Sequence, residues 1–120
     1  MGDLSRSFSR AEFACRCGCG FDAVSAMLVE VLQEVRDHFG QPVTVTSGCR
    51  CKAHNAKVGG SPRSQHLYGM AADIKVSGVS PATVYDFLIH RHPGELGLGR
   101  YPSWVHVDVR SGPAVRWGDV

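Results

Sequence analysis

The chain has 120 residues, a length that suits one domain with a hydrophobic core of its own. Hydrophobic residues make up 43% and charged residues 20% of the sequence, and no apolar run approaches the roughly 20 residues that a membrane span needs. We therefore expect a soluble protein without a membrane partner. The formal net charge of +2 is too small to indicate a nucleic-acid partner, so the composition predicts one compact, monomeric enzyme or binding module.

Residues 1–22 predict an ordered N-terminal arm that packs on the rest of the domain. Ser9 and Glu12 match a capping box, and Phe8 and Phe13 bracket that turn as a hydrophobic staple would. The segment has no apolar stretch of the kind found in secretory signals, so we expect synthesis in the cytoplasm without a signal peptide.

Five cysteines form two tight groups, and two interpretations of them stay open. They are Cys15, Cys17, Cys19, Cys49 and Cys51. Their spacing differs from the paired Cys-x-x-Cys knuckles of structural zinc sites, and an odd count prevents complete pairing within one chain. Either two loops pack together and form one or two disulfides in an oxidising compartment, or the thiols hold a second, structural metal.

Hydrophobic periodicity predicts an amphipathic helix over residues 23–39, with Asp22 as its N-cap. The alternating β-branched residues 42–47 predict a strand. Gly48 directly after that strand permits a sharp turn, which would direct Arg50 into a cleft at the end of the sheet.

The second half of the chain predicts further strands around one more helix. Ser80 and Pro81 are typical of a helix start. Strands are predicted at residues 74–76, 96–101, 104–109 and 114–117.

Two short segments predict a metal site. His66 and Asp73 stand at opposite ends of a glycine-containing turn that enters a strand. His106 and Asp108 belong to a strictly alternating run, which places both on one face of a strand. A catalytic zinc takes three protein ligands and leaves a fourth position for water. His66, Asp73 and His106 meet that requirement.

With these residues in place, the sequence resembles the M15 family of zinc D-Ala-D-Ala peptidases, and within it the short forms of phage and bacterial cell-wall lysins. The family pattern Ser-x-His-x-x-Gly-x-Ala-x-Asp is matched over residues 64–73, and a later His-x-Asp is matched over residues 106–108. Residues 47–50 are similar to the family's Ser-Gly-x-Arg element. The resemblance covers residues 8–117.

The resemblance implies an α+β fold in a single zinc peptidase-like domain over residues 1–120, with an antiparallel sheet flanked by helices as in the hedgehog and D-Ala-D-Ala peptidase group. It implies zinc as the cofactor and gives Arg50 the task of binding a substrate carboxylate or the oxyanion. Ser64 would orient the ligand loop by hydrogen bonding. We count Ser64 and Tyr101 with Arg50 among the substrate-binding residues.

The implied activity is hydrolysis of peptide bonds in peptidoglycan stem peptides by a zinc-activated water, as a D-Ala-D-Ala carboxypeptidase or a cross-link endopeptidase of the endolysin kind. Such an enzyme acts on the cell wall, and its origin would be a phage. The alternative is a noncatalytic module that keeps zinc for stability and binds cell wall or a partner protein.

The sequence departs from the family mainly at the general base, the residue that takes the proton of the zinc-activated water. Better-known members carry Glu or Asp three residues before the last histidine ligand, where this chain has Ser103. Asp108 is the candidate catalytic base because it shares the strand face of His106. The alternative is that Asp108 only holds a histidine tautomer or a neighbouring arginine. Tyr101 and Glu95 are further options.

Overall fold

One five-stranded sheet and three α-helices make up residues 2–118, the part of the chain that the computed structural model describes. The helices are α1 (Ala26–Phe39), α2 (Lys52–Lys57) and α3 (Pro81–Arg91). The strands are β1 (Val43–Ser47), β2 (Ala71–Val76), β3 (Gly97–Arg100), β4 (Val105–Asp108) and β5 (Val115–Gly118). None of these helices has the length and apolar character needed to cross a membrane.

The strand order is β1-β2-β4-β3-β5, and every neighbouring pair is antiparallel except β3 and β5, which run parallel. The predicted α+β class with an antiparallel sheet and flanking helices is therefore confirmed, with one parallel edge strand added. Buried residues of α1 and α3 join alternate side chains of β2 and β4, such as Ile74 and Val105, in one hydrophobic core. Since side chains alternate along a strand, Asp73 and His106 lie on the opposite face of the sheet.

Helix α1 begins three residues later than its periodicity predicts, and Ser25 stands at its N-cap position in place of Asp22. The preceding residues are held against the turn that leads into β2. The Ser25 N–H donates to the Gly69 carbonyl at 2.8 Å, and a Cβ on Gly69 would lie 2.1 Å from the Ala23 carbonyl oxygen. This contact with a distant turn fixes the segment outside the helix, which a local pattern does not reveal.

The N-terminal arm packs on the rest of the chain through two phenylalanines. Phe8 is 1% exposed and Phe13 0% exposed, and their ring centroids are 6.0 Å apart. The Ser9 N–H donates to the Glu12 carboxylate at 2.6 Å, which forms part of the predicted capping box. The Phe13 carbonyl accepts from the Cys49 N–H at 2.8 Å. The arm therefore contacts the turn that follows β1.

We expect Gly48→Ala to destabilise the protein, because a Cβ at this position would lie 2.7 Å from the carbonyl oxygen and 2.8 Å from the Cα of Phe13. Both atoms are backbone, so the arm or the turn must shift. Overpacking of this kind costs about 1–3 kcal/mol of unfolding free energy, measurable by urea denaturation. Gly94→Ala is the matched control, since its Cβ would meet no atom within 4 Å. Equal stability of the two variants would contradict this packing.

Candidate metal centre and active-site cleft

The sheet register brings the three predicted metal ligands together. Asp73 of β2 pairs directly with His106 of β4, so their side chains stand side by side. His66 comes from the 3-10 turn Gln65–Tyr68, which leads into β2. One ligand atom from each of the three residues lies within 4.8 Å of the other two.

The donor atoms converge on one carboxylate oxygen. Asp73 Oδ1 lies 3.3 Å from His66 Nε2 and 3.2 Å from His106 Nδ1. In a tetrahedral zinc site, ligands about 2.0–2.2 Å from the ion lie about 3.3–3.6 Å from one another. The spacing of these atoms is therefore that of a zinc donor set.

A hydrogen bond from Nδ1 of His66, the ring nitrogen that faces away from Asp73, fixes the orientation of its ring. His66 Nδ1–H donates to the Gly48 carbonyl at 2.6 Å, so Nε2 of the neutral ring carries the lone pair. Nε2 is buried and has no hydrogen-bond partner within residues 2–118, since a lone pair cannot bond to the nearby Asp73 oxygen. A buried nitrogen without a partner is costly, and a metal ion would satisfy it. The residues present therefore fit a metal.

Asp108 fixes the ring of His106 in a similar way. His106 Nε2–H donates to Asp108 Oδ2 at 2.8 Å, which leaves Nδ1 to face Asp73. Arg110 holds the same carboxylate with two bonds, from Nε to Oδ1 at 2.8 Å and from Nη2 to Oδ2 at 2.7 Å. The Gly97 N–H also donates to Oδ1.

This placement bears on the predicted role of Asp108 as catalytic base. Its side chain is 0% exposed and bonds to the nitrogen of His106 that points away from the other ligands. Burial raises the pKa of Asp108, but hydrogen bonds from Arg110 and His106 outweigh it and hold that pKa well below its usual range. A base must reach the proton that it takes. The geometry favours the alternative, in which Asp108 holds a histidine tautomer and an arginine.

The charge state of Asp73 suits a metal ligand. Burial raises the pKa of this carboxyl, but the adjacent imidazoles of His106 and His66 lower it by more, so the pKa of Asp73 lies well below its usual range. The ring of His106 shows the complementary effect: burial lowers its pKa, and the bonds to Asp108 and Asp73 raise it above the ordinary value. A metal binding here would displace the proton that the two carboxylates stabilise.

Arg50 reaches the cleft as predicted and is fixed from three sides. Its Nη2 donates to Asp73 Oδ2 at 3.3 Å, its Nε to Ser47 Oγ at 3.0 Å and its Nη1 to Asn55 Oδ1 at 3.2 Å. Asn55 is itself buried and donates to the Ser61 carbonyl at 2.9 Å. The guanidinium therefore has one position beside the metal ligands.

A cleft of about 520 Å³ opens over this centre, and both Ser64 and Tyr101 line it. Ser64 Oγ accepts from the His66 N–H at 3.2 Å, which orients the turn that carries this ligand. Further cleft residues that the sequence did not indicate are Arg63, Trp104, Arg110 and Trp117.

Aromatic residues form one wall of the cleft. The rings of Tyr101 and Trp104 stack at 4.5 Å, and Trp117 Nε1–H donates to the Tyr101 hydroxyl at 2.9 Å. Trp117 lies 5.0 Å from the His106 ring. Gly99 makes room for it, since a Cβ there would lie 2.5 Å from the indole nitrogen. The alternating glycines of β3 are a sequence feature from which such a wall could be inferred.

Ser103 and the candidate base Glu95 lie outside the cleft, whereas the candidate base Tyr101 lines it. Ser103 lines a separate, smaller pocket beside Pro81 and Val84 of α3. The Glu95 side chain is 72% exposed and lies 3.3 Å from His92. Over residues 2–118, Asp73 is the one carboxylate that lines the cleft. Position 103 therefore supplies no group to the cleft.

A buried His-Asp-His donor set at the base of an open cleft is typical of a mononuclear metalloenzyme. A family model described as Peptidase M15 matches residues 6–108, which include all three donors. The chain therefore belongs to the Peptidase M15 family, whose members are metal-dependent peptidases. A search of curated proteins found no matching entry.

We expect Asp108→Asn to weaken metal binding, because the amide cannot replace the carboxylate that orients His106 and pairs with Arg110. Loss of such an outer partner lowers metal affinity or activity about 10–100-fold. The measurement is zinc affinity by competition with a chelator, beside the exposed control Asp86→Asn. Unchanged zinc affinity with abolished hydrolysis would instead make Asp108 a catalytic base.

Proposed function

We propose that this protein is a zinc-dependent peptidase that hydrolyses peptide bonds in the stem peptides of peptidoglycan. The observation that carries the proposal is the convergence of His66 Nε2, His106 Nδ1 and Asp73 Oδ1 at the base of the cleft. Zinc accepts imidazole nitrogen and carboxylate oxygen in tetrahedral sites, and three protein ligands leave one position open. Family membership supports peptide-bond hydrolysis as the reaction.

The protein side chains divide the work between holding the ion and holding the substrate. A zinc ion bound by the three ligands would supply an activated water and polarise the scissile carbonyl. Arg50 keeps its charge and is fixed by Ser47 and Asn55, so its guanidinium offers a preorganised site for a substrate carboxylate or for developing oxyanion charge.

The charge of the cleft supports an anionic peptide as the substrate. Arg50, Arg63 and Arg110 line the cleft. Arg50 pairs with Asp73 and Arg110 with the buried Asp108, so the guanidinium of Arg63 leaves an excess of positive charge. Stem peptides of peptidoglycan carry free carboxylates, and the aromatic wall offers apolar surface for the peptide backbone and methyl groups. The proposal includes both removal of a terminal D-Ala and opening of a cross-link. Action on the bacterial cell wall, as a phage-type lysin, is part of the proposal.

The second candidate function is a noncatalytic module that keeps zinc and binds cell wall or a protein. The lack of a second carboxylate among the described residues lining the cleft is the observation that favours it. Stoichiometric zinc without turnover, under conditions where a control peptidase cleaves the same muropeptides, would establish this alternative.

We expect His66→Ala to lose the cleft zinc and all cleavage, because the ligand nitrogen disappears from a three-ligand site. The measurements are metal content and a muropeptide digest read by mass spectrometry, in which free D-Ala or separated dimers identify the bond. His90→Ala is the control, since this histidine is exposed on α3 and bonds only to the carbonyl of Asp86. Unchanged metal content in His66→Ala would disprove the assignment of His66, Asp73 and His106 as the metal ligands.

We expect Arg50→Lys to lower kcat/KM about 10²–10³-fold with zinc retained, because an ammonium cannot keep the three-sided geometry of the guanidinium. Peptides with a free or an amidated C-terminus test which group it binds. A carboxylate-binding arginine gives a large loss on the free acid and little on the amide, whereas equal losses indicate oxyanion stabilisation. Full activity on both peptides would exclude Arg50 from the reaction.

A further inference from the structure

Four of the five cysteines come together at a second place in the fold, and none of them lines the cleft. Cys15, Cys17 and Cys19 belong to the N-terminal arm, and Cys51 stands at the N-cap position of α2. Their sulfur atoms all lie within 4.8 Å of one another, and each is a free thiol.

The sulfur positions match a tetrahedral ion better than disulfide pairs. Cys17 Sγ lies 3.5 Å from Cys15 Sγ and 3.6 Å from Cys51 Sγ, so it is equally close to two neighbours. Sulfurs about 2.3 Å from a tetrahedral zinc lie about 3.8 Å from one another. A disulfide would instead select one partner for each sulfur and draw the two together.

The local backbone explains how one short segment supplies three thiols. The glycines that alternate with the cysteines, Gly18 and Gly20, have φ values of +83° and +93°, which turn the chain back on itself. The Cys15 N–H donates to the Phe21 carbonyl at 2.8 Å and closes the loop. The three sulfurs of this loop therefore face the same point, although their spacing is not that of a Cys-x-x-Cys knuckle.

Backbone N–H groups complete the surroundings of the sulfurs. The Cys51 N–H donates to Cys15 Sγ at 3.5 Å, and the His54 N–H donates to Cys51 Sγ at 3.4 Å. Hydrogen bonds of this kind orient thiolate ligands and stabilise their negative charge.

We propose that Cys15, Cys17, Cys19 and Cys51 bind a structural zinc ion, separate from the metal centre of the cleft. Four thiolates fill the coordination shell and leave no position for substrate, which is the arrangement of a structural site. Cys49 is not one of the zinc ligands, since it lies outside the cluster and is buried. Its role is packing, which explains why the number of cysteines is odd.

The position of this ion gives it a defined task. Cys51 directly follows Arg50, whose N–H donates to the His66 carbonyl at 3.0 Å. The other three ligands belong to the arm that packs on Gly48, whose carbonyl orients the ring of His66. The zinc therefore links the N-terminal arm to the turn that contains Arg50 and Gly48.

Metal analysis of the unmodified protein is the first test, after anaerobic purification under reducing conditions. We expect two zinc ions per chain. A mercurial thiol reagent, followed by a chromogenic chelator, should release one of them, because the cleft ligands are imidazole and carboxylate. A single zinc that the mercurial does not release, disulfides in place of free thiols, or iron in place of the released zinc would overturn the proposal.

Matched variants separate this site from the cleft. Cys17→Ser and Cys19→Ser change exposed thiols, so the core stays intact, and each should lose one zinc while Cys49→Ala keeps both. His66→Ala should lose only the cleft ion. In cobalt-substituted protein, thiolate-to-cobalt charge-transfer absorption should persist in His66→Ala and vanish in the Cys17→Ser/Cys19→Ser double variant. Absence of that absorption from the wild type would contradict thiolate ligation, whatever the outcome for peptidase activity.

Discussion

The pairing of Asp73 with His106 across two central strands is the constraint on which the candidate site depends. The register of β2 against β4 sets this pair side by side, and the alternation of both strands turns them to the face opposite the helices. The turn before β2 then needs to supply only one more ligand, His66. A one-residue slip of either strand would send its ligand into the hydrophobic core, so the same pattern that buries the apolar side chains also positions the metal donors.

The outer partners of the ligands matter as much as the ligands. A backbone carbonyl fixes one imidazole ring and a buried carboxylate fixes the other, so both histidines direct their second ring nitrogen toward Asp73. Arg110 neutralises that buried carboxylate, which would otherwise be costly to keep ionised in the interior. The site is thus preorganised by groups that are not themselves metal ligands, among them Gly48, which the N-terminal arm covers.

Much of this arrangement was accessible from the sequence, because it follows from short-range periodicity. Strand alternation placed His106 and Asp108 on one face, and the turn expected at Gly48 correctly directed Arg50 to the cleft. The start of α1 was wrong, since the contact of residues 23–25 with Gly69 is long-range. The strand that carries Trp117 was predicted, but its parallel pairing with β3, which brings Trp117 to the cleft, is also long-range and has no local pattern. The spacing of His106 and Asp108 on one strand face does not show which ring nitrogen of His106 bonds to Asp108. The role of Asp108 depends on this, because the bond is to Nε2 and not to the nitrogen that faces Asp73.

The sheet separates helices α1 and α3 from the cleft. Among the described residues, those lining the cleft come from strands and connecting segments, and none comes from α1 or α3. Substitutions that reshape the cleft therefore need not disturb helix packing, and repacking under the helices leaves the donor atoms in place. Such a separation of layers makes the fold evolvable: the segment over residues 58–63 and the edge strand β5 can vary to accept new peptides while the stability of the domain is inherited unchanged.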